Sequence, residues 1–341
     1  LSEVLGSDHV ILNKTLFRWF YKRKDKANNK DYLTFILAVE NNKIISLLGF
    51  YEVNMSLKGE IKPGVWAALW FSDPKFNRGI GGFLMKRLTN EYEFVGALAC
   101  SKENQKIAKV LGFEILDGLN SYVYILNKEN MGDLTTNKLE NSKILLNPIN
   151  QNKELFKINS YSTSIIGVKA IIKDLTKCSD YIGTHKDQAY LDWRYNNHPF
   201  FKYEWTYLEH KSSIKAWFVW REAKVNNAKL CRIVDFDINN FDEDINLLLN
   251  GLINQIHKRE INYIDLYTTN KPLIKYLLNF GFISNIKTNL PSLIDPVTNT
   301  CPLVTGEFHI NSKTLYSNSY LSCFRGDGDI DRPNNSIKKI Y

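Results

Sequence analysis

The chain has 341 residues, 44% of them apolar and 13% aromatic, enough for two packed cores and more than a single core ordinarily fills. Its net charge of +8 comes from lysines dispersed among Asp, Glu and Asn, as around Lys22, Lys24 and Lys26, so it describes a solvated surface, and no nucleic-acid partner is expected. No run reaches the roughly 18 consecutive apolar residues of a membrane span, and the five cysteines show neither a disulfide framework nor zinc-ligand spacing, so a cytoplasmic protein with free thiols and no metal is expected.

Residues 9–24 form the first predicted helix, with Val10, Leu12, Leu16, Trp19 and Phe20 on its apolar face. Residues 31–39 and 44–51 read as a hairpin across Asn41–Asn42, and 65–71 as the next strand. That strand carries Leu69, Trp70 and Phe71 and stops at Ser72–Asp73–Pro74. A turn of Asn77, Arg78, Gly79, Ile80, Gly81 and Gly82 then opens an amphipathic helix that carries Phe83, Leu84 and Leu88 and runs to Tyr92. A strand at 94–99, a helix at 104–111 and a strand at 121–126 follow. The polar stretch 131–147 reads as a linker between a unit at 1–130 and another at 148–341.

A strand, a glycine-rich turn and a helix make an anion site, because the first-turn amides are free and the dipole's positive end faces the ligand. Two phosphate loops are excluded. Phe83 and Leu84 follow Gly82 where a Walker loop has Lys and Ser or Thr, and the strand at 94–99 ends in Cys100 and Ser101 rather than the acidic residue of a dinucleotide site. The turn instead resembles the pyrophosphate loop of the GNAT acyltransferases, Arg/Gln-x-x-Gly-x-Gly/Ala. Arg78 and Gly81 occupy its first two key positions, and Phe83 stands where the family has Gly or Ala. Asn104, Ala108 and Leu111–Gly112–Phe113 are similar to that family's closing signature.

The same order of elements recurs in the second half: helices at 165–175 and 185–195, strands at 203–208, 216–222 and 230–238, a helix at 242–258, a strand at 263–267, and a helix at 271–280 that ends in Phe280–Gly281–Phe282. The reading is an α/β (α+β, mixed-sheet) protein of two tandem GNAT-like domains. Asp242, Glu243 and Asp244 stand in the second copy where the first has its loop, and would repel pyrophosphate, so one cofactor site is expected. Tyr190 to Pro199 and the terminal segment Phe324 to Asn334 resemble segments of tandem enzymes that N-acylate nucleotide-linked amino sugars such as dTDP-3-amino-3,6-dideoxyhexoses.

The resemblance implies acyl-CoA as co-substrate, held by Phe71, Asn77, Arg78, Gly79, Ile80, Gly81, Gly82, Phe83 and Asn104. It implies backbone amides of Leu69, Trp70 and Phe71 as oxyanion donors, and a dTDP-linked amino sugar bound by Trp193, Arg194, Arg325, Asp327 and Asp329, in surface-polysaccharide synthesis; a homodimer is a possible assembly. The tyrosine that serves many members as acid is here Ala108. A sugar amine should titrate near an α-amino group, about pKa 8, so no strong base is obligatory; Asp73, His198, Glu204 and Asp327 are the candidates. The alternatives are a transferase drawing on aminoacyl-tRNA, whose relatives lack a working pyrophosphate loop, and a non-catalytic acyl-CoA or carbohydrate-binding protein.

Overall fold

A computed structural model of the chain describes residues 9–25, 27–76, 79–127, 181–210, 213–225, 228–238, 241–284, 304–312, 320–331 and 333. Asn77, Arg78, the expected linker and the expected helix at 165–175 lie outside them. The first helix, α1 (Lys14–Tyr21), starts at Asn13, whose side chain accepts hydrogen bonds from the amides of Thr15 and Leu16. It is shorter than its periodicity suggests. A 3-10 turn, Val10–Leu12, precedes it, and the lysine-rich end extends into β1 (Lys22–Lys24), which pairs with β2 (Asp31–Leu33).

β3 (Phe35–Glu40) and β4 (Lys43–Leu57) form the hairpin expected across Asn41–Asn42, whose φ values of 49° and 61° are those of a two-residue type I′ turn. Lys58 and Gly59 repeat the device at φ 52° and 85°, turning β4 into β5 (Glu60–Ser72). α2 (Ile80–Glu91) crosses over to β6 (Phe94–Leu98), parallel to β5, and α3 (Lys102–Val110) leads to β7 (Glu114–Ile125). After β8 (Tyr181–Thr184) and a short α4 (Gln188–Leu191) that continues as a π-helical turn, Asp192–Asn196, the order of the first half recurs. β9 (Glu204–His210), β10 (Ser213–Val225) and β11 (Ala228–Ile238) precede α5 (Phe241–Ile256), β12 (Tyr263–Thr268) parallel to β11, α6 (Lys271–Phe280) and β13 (Ile283–Ser284). β14 (Val304–Ile310) and β15 (Tyr320–Ser322) follow.

Thirteen of the described strands make one mixed sheet, in the order β15-β8-β4-β5-β6-β14-β7-β12-β11-β10-β9, with β3 on β4 and β13 on β7. The two halves exchange strands. β14, from the far end of the chain, inserts between β6 and β7 of the first half: Glu307 opposes Ala97 on one side and Ile115 on the other. In return, the second half of β7 lies between β12 and β13, with Val123 opposite both Asp265 and Ile283. The strand expected at 121–126 is only the end of β7, whose beginning serves one half and whose end serves the other.

Three cores follow from this arrangement. Leu84, Met85 and Leu88 of α2 and Ala108 of α3 cover Val65, Ala67, Val95 and Ala97 on one face of the first half. α5 and α6 cover β10 to β12 in the second. The largest core belongs to both, joining Leu16, Phe20, Tyr51 and Trp66 to Tyr195, Trp205, Trp217, Tyr267 and Ile330. No helix among the described residues is long and apolar enough to cross a membrane.

Candidate active site

β5 and β6 pair only from Gly64↔Phe94 to Ala67↔Ala97. Beyond Ala97 the pairing with β5 stops: Leu98, still opposite Gly306 of β14, ends β6, and Ala99 adopts φ 59°, a left-handed conformation that a side-chain-bearing residue takes at a cost. β5 runs on to Ser72 with its other edge held by β4. The register there skips Ala68, with Phe50 opposite Ala67 and Gly49 opposite Leu69, and this bulge re-aims the strand. The two strands therefore diverge as a wedge. Along the side of β5 facing it, no described strand covers Leu69, Trp70 and Phe71, whose backbone was expected to hold the thioester.

The start of α2 lies at the open end of that wedge. Gly79, at φ 75°, is its N-cap, and no side chain among the described residues caps the helix, so these residues leave amides of its first turn open to an anion. The three glycines differ in what surrounds them. A Cβ on Gly79 would meet nothing within 4 Å, and one on Gly82 only Ile107, at 3.2 Å. On Gly81 it would lie 2.5 Å from Ser72 Oγ and 2.8 Å from Trp70 Nε1, so Gly81 is small because the helix packs on β5. Phe83 is 71% exposed on the first turn of the helix. Asn104 is half-buried in the first turn of α3, behind the cap that Ser101 provides to its amide. Ala108 is fully buried, so α3 brings no proton donor from that position.

The terminal segment meets the sheet close to the wedge, but mostly as framework. Thr184 Oγ1 donates to Asp327 Oδ1 at 2.6 Å and accepts from Trp66 Nε1 at 3.0 Å. Tyr51 donates to the Gly328 carbonyl and Arg194 Nε to that of Gly326, each at 2.8 Å. Arg221 grips Asp331, whose carboxyl burial would push up but Arg221 holds well below the usual range. Arg325 is buried 3.7 Å from Asp265. Of the residues expected to touch the acceptor, Arg194, Arg325 and Asp327 thus face the interior. Asp329 is half-buried, its charge felt by the Cys100 thiol, and Gly328 next to it lies against Leu98.

Trp193 lines a cavity of about 1100 Å³ at the opposite end of β5, near Gly64, together with Arg23, Tyr32, Glu52 and Tyr190. Its ring stacks on Trp19 at 5.3 Å and carries Arg23 at 4.7 Å. Among the base candidates, Glu204 binds Arg259 on the far edge strand. Burial first, then Arg194, lowers the His198 imidazole to about 3, while its Nδ1 accepts from the amides of Phe200 and Phe201. Asp73 turns back to the amide of Lys75.

One residue that the sequence did not single out stands at the wedge. Glu307 is fully buried on β14, and neither carboxylate oxygen has an N–H or O–H donor among the described residues. Burial pushes its carboxyl up to about 7, and a hydrogen bond from the thiol of Cys100 acts the other way. A glutamate between Gly306 and Phe308 in the strand Val304–Ile310 is the only sequence signal it leaves.

No protein-family model and no curated protein matches the chain. Solved structures similar to it include a probable N-acyltransferase of Enterococcus faecalis V583, at 12% identity and TM-score 0.49 over 84% of this chain and 64% of that one. GCN5-related N-acetyltransferases of Anabaena variabilis ATCC 29413 (11% identity, TM-score 0.48, 82% of this chain and 63% of that one) and Kribbella flavida (10%, 0.47, 83% and 61%) are also similar. The chain spans less than two thirds of the length of each.

Proposed function

We propose that the protein transfers an acyl group from acyl-CoA to the amine of a nucleotide-linked amino sugar. The observation that carries the acyl-CoA part is the wedge between β5 and β6 with the uncapped start of α2 at its mouth. In this reading the first-turn amides of α2 hold the pyrophosphate, and the pantetheine arm extends β5 along its free edge. Amides of Leu69 to Phe71 then stabilise the oxyanion as the amine attacks the thioester. Ala67, Ala97 and the αL turn at Ala99 keep the wedge open and narrow, which holds the reacting atoms together.

The amino-sugar part has the sequence resemblance behind it and is supported by the shape of the site. Gly64 in the Trp193 cavity and Leu69 at the wedge are five residues apart on one strand, roughly 17 Å. An elongated acceptor, a sugar carried on a nucleoside diphosphate, suits that separation better than a short amine, with Arg23 and Lys24 lining the cavity beside the phosphates. The product would enter surface-polysaccharide assembly in the cytoplasm.

The test is calorimetry with CoA, followed by CoA release from acetyl-CoA and 3-hydroxybutyryl-CoA against dTDP-linked 3-amino- and 4-amino-dideoxyhexoses, free amino sugars and amino acids. Micromolar CoA binding with turnover confined to the nucleotide-linked sugars is the expected result. Absence of CoA binding would overturn the whole reading, and turnover confined to amino acids would overturn the acceptor class alone.

A further inference from the structure

An unpaired carboxylate in the middle of a sheet is expensive, because a buried polar group without a partner loses its hydration and gains nothing in return. Glu307 comes close to this. It is fully buried, it caps no helix and joins no ion pair among the described residues, and its oxygens meet no N–H or O–H donor there, only the weakly donating thiol of Cys100. Nothing in the packing accounts for a glutamate where valine would fit the strand.

Its position is specific. Residues paired across neighbouring strands project to the same face, so Glu307, Ala97 and Ala67 share the face that α2 and α3 cover. Ala67↔Ala97 is the last pair before the strands part, and Glu307 lies two strand spacings, roughly 10 Å, from Ala67. Only the methyl groups of Ala97 and Ala67 stand between Glu307 and β5 on that face. The buried side chains that the helices present here, Leu84, Met85, Leu88 and Ala108, are apolar. The titratable neighbours are the Cys100 thiol, His309 two residues along the strand and packed on Phe113, and Asp329 beyond Cys100. Glu114 on β7 opposes Phe308 and therefore projects to the other face.

Resting on the acyl-transfer reading above, we propose that Glu307 is the group that takes the proton from the attacking amine. As the N–C bond forms and the C–S bond breaks, the electron pair leaves on the CoA sulfur. The proton released by the nitrogen passes to the Glu307 carboxylate and from there to the sulfur, which regenerates the carboxylate. A carboxyl held near neutrality does both, since it is partly ionised when it must accept and acidic enough to donate. The strand exchange is then part of the chemistry, because the far end of the chain supplies the base to the cofactor half.

The experiment follows the carboxyl directly as well as through activity. In protein labelled with 13C at the glutamate δ-carbon, one signal titrating near pH 7 is expected, absent from Glu307→Gln and displaced when CoA is added. With acetyl-CoA and a dTDP-linked 3-amino-3,6-dideoxyhexose, Glu307→Gln should lose about 100-fold or more in kcat/KM, together with the acidic limb of the pH profile, while its affinity for CoA by calorimetry stays close to the parent's. Glu307→Asp should recover part of the rate. Cys100→Ala should move the acidic limb to higher pH, since the thiol holds the carboxyl down. A glutamate signal indifferent to bound CoA, or a Glu307→Gln protein with the parent's rate and pH profile, overturns the proposal and leaves the acyl-CoA reading standing. A parent that binds no CoA overturns both.

Discussion

Gly326 has no room for a side chain, since a Cβ there would lie 2.0 Å from the Tyr195 hydroxyl, which is itself committed to Asp235. Gly326→Ala should therefore cost about 3 kcal/mol, the upper part of the range for overpacking, and lower the melting temperature accordingly. Tyr195→Phe in the same chain should return part of the loss, and additive effects of the two substitutions would disprove the contact. Glu307 has the opposite signature, a residue whose removal should stabilise. Its folded carboxyl is pushed up to about 7, so between roughly pH 4.5 and 7 the folded state binds a proton that the unfolded chain has released, and stability falls as pH rises through that window. Glu307→Gln should match the parent near pH 4 and exceed it by up to about 3 kcal/mol at pH 8 in urea titrations. Equal stability at both pH values would show that the carboxyl is not held in its neutral form. Asp331 works the other way: Arg221 keeps its carboxyl below the unfolded value, so its contribution is present above about pH 4 and is lost as acid protonates it.

The start of α2 separates two roles that its glycines share in sequence. Gly82→Glu places an acidic side chain in the first turn, where the helix dipole favours it and only Ile107 stands near, so the fold should survive. The same charge sits where a pyrophosphate would bind. Calorimetry should show CoA affinity lowered by at least about tenfold in a protein that melts like the parent. Gly81→Ala instead pushes against Ser72 and Trp70 and should cost roughly 1–3 kcal/mol. An unaltered CoA affinity in folded Gly82→Glu would remove α2 from the site. The elements around this turn were legible locally. Asn41–Asn42 marked its hairpin, and the glycine turn its helix, because the positive φ values and the free amides are properties of the residues themselves. α1 was overextended because an apolar face at 3.6-residue spacing does not show where pairing with β2 takes the backbone over.

On the scale of the molecule, the two halves are one hydrogen-bonded sheet. With β14 removed, β6 and β7 have a gap between them; with β7 removed, β12 loses a neighbour and β13 its partner. Fragments 1–130 and 148–341 expressed apart should lack native near-ultraviolet dichroism and recover it when combined, and the intact chain should unfold in one transition. Two independent transitions would mean that the exchanged strands contribute little. Truncation before Arg325, a segment expected from sequence to reach the acceptor, should abolish folding. It removes the carboxyls of Asp327 and Asp331, which Thr184 and Arg221 bind, and the carbonyls that receive Tyr51 and Arg194. A folded truncation with a raised acceptor KM would restore the ligand-binding role to the tail.

The sequence by itself determined the local parts: the hairpin across Asn41–Asn42, the strand, glycine turn and helix at 65–92, and the second pass through the same order, since turn chemistry and side-chain periodicity act between neighbours in the chain. It also marked Arg194, Arg325 and Asp327 as unusual, but not whether they face a ligand or one another, because that depends on which distant backbone carbonyls and acids they meet. Only the tertiary structure decided that β14 lies beside β6. A seven-residue strand carries no local signal for a partner from the other half of the chain, and burial against that partner is what leaves the carboxylate of Glu307 with no N–H or O–H donor among the described residues.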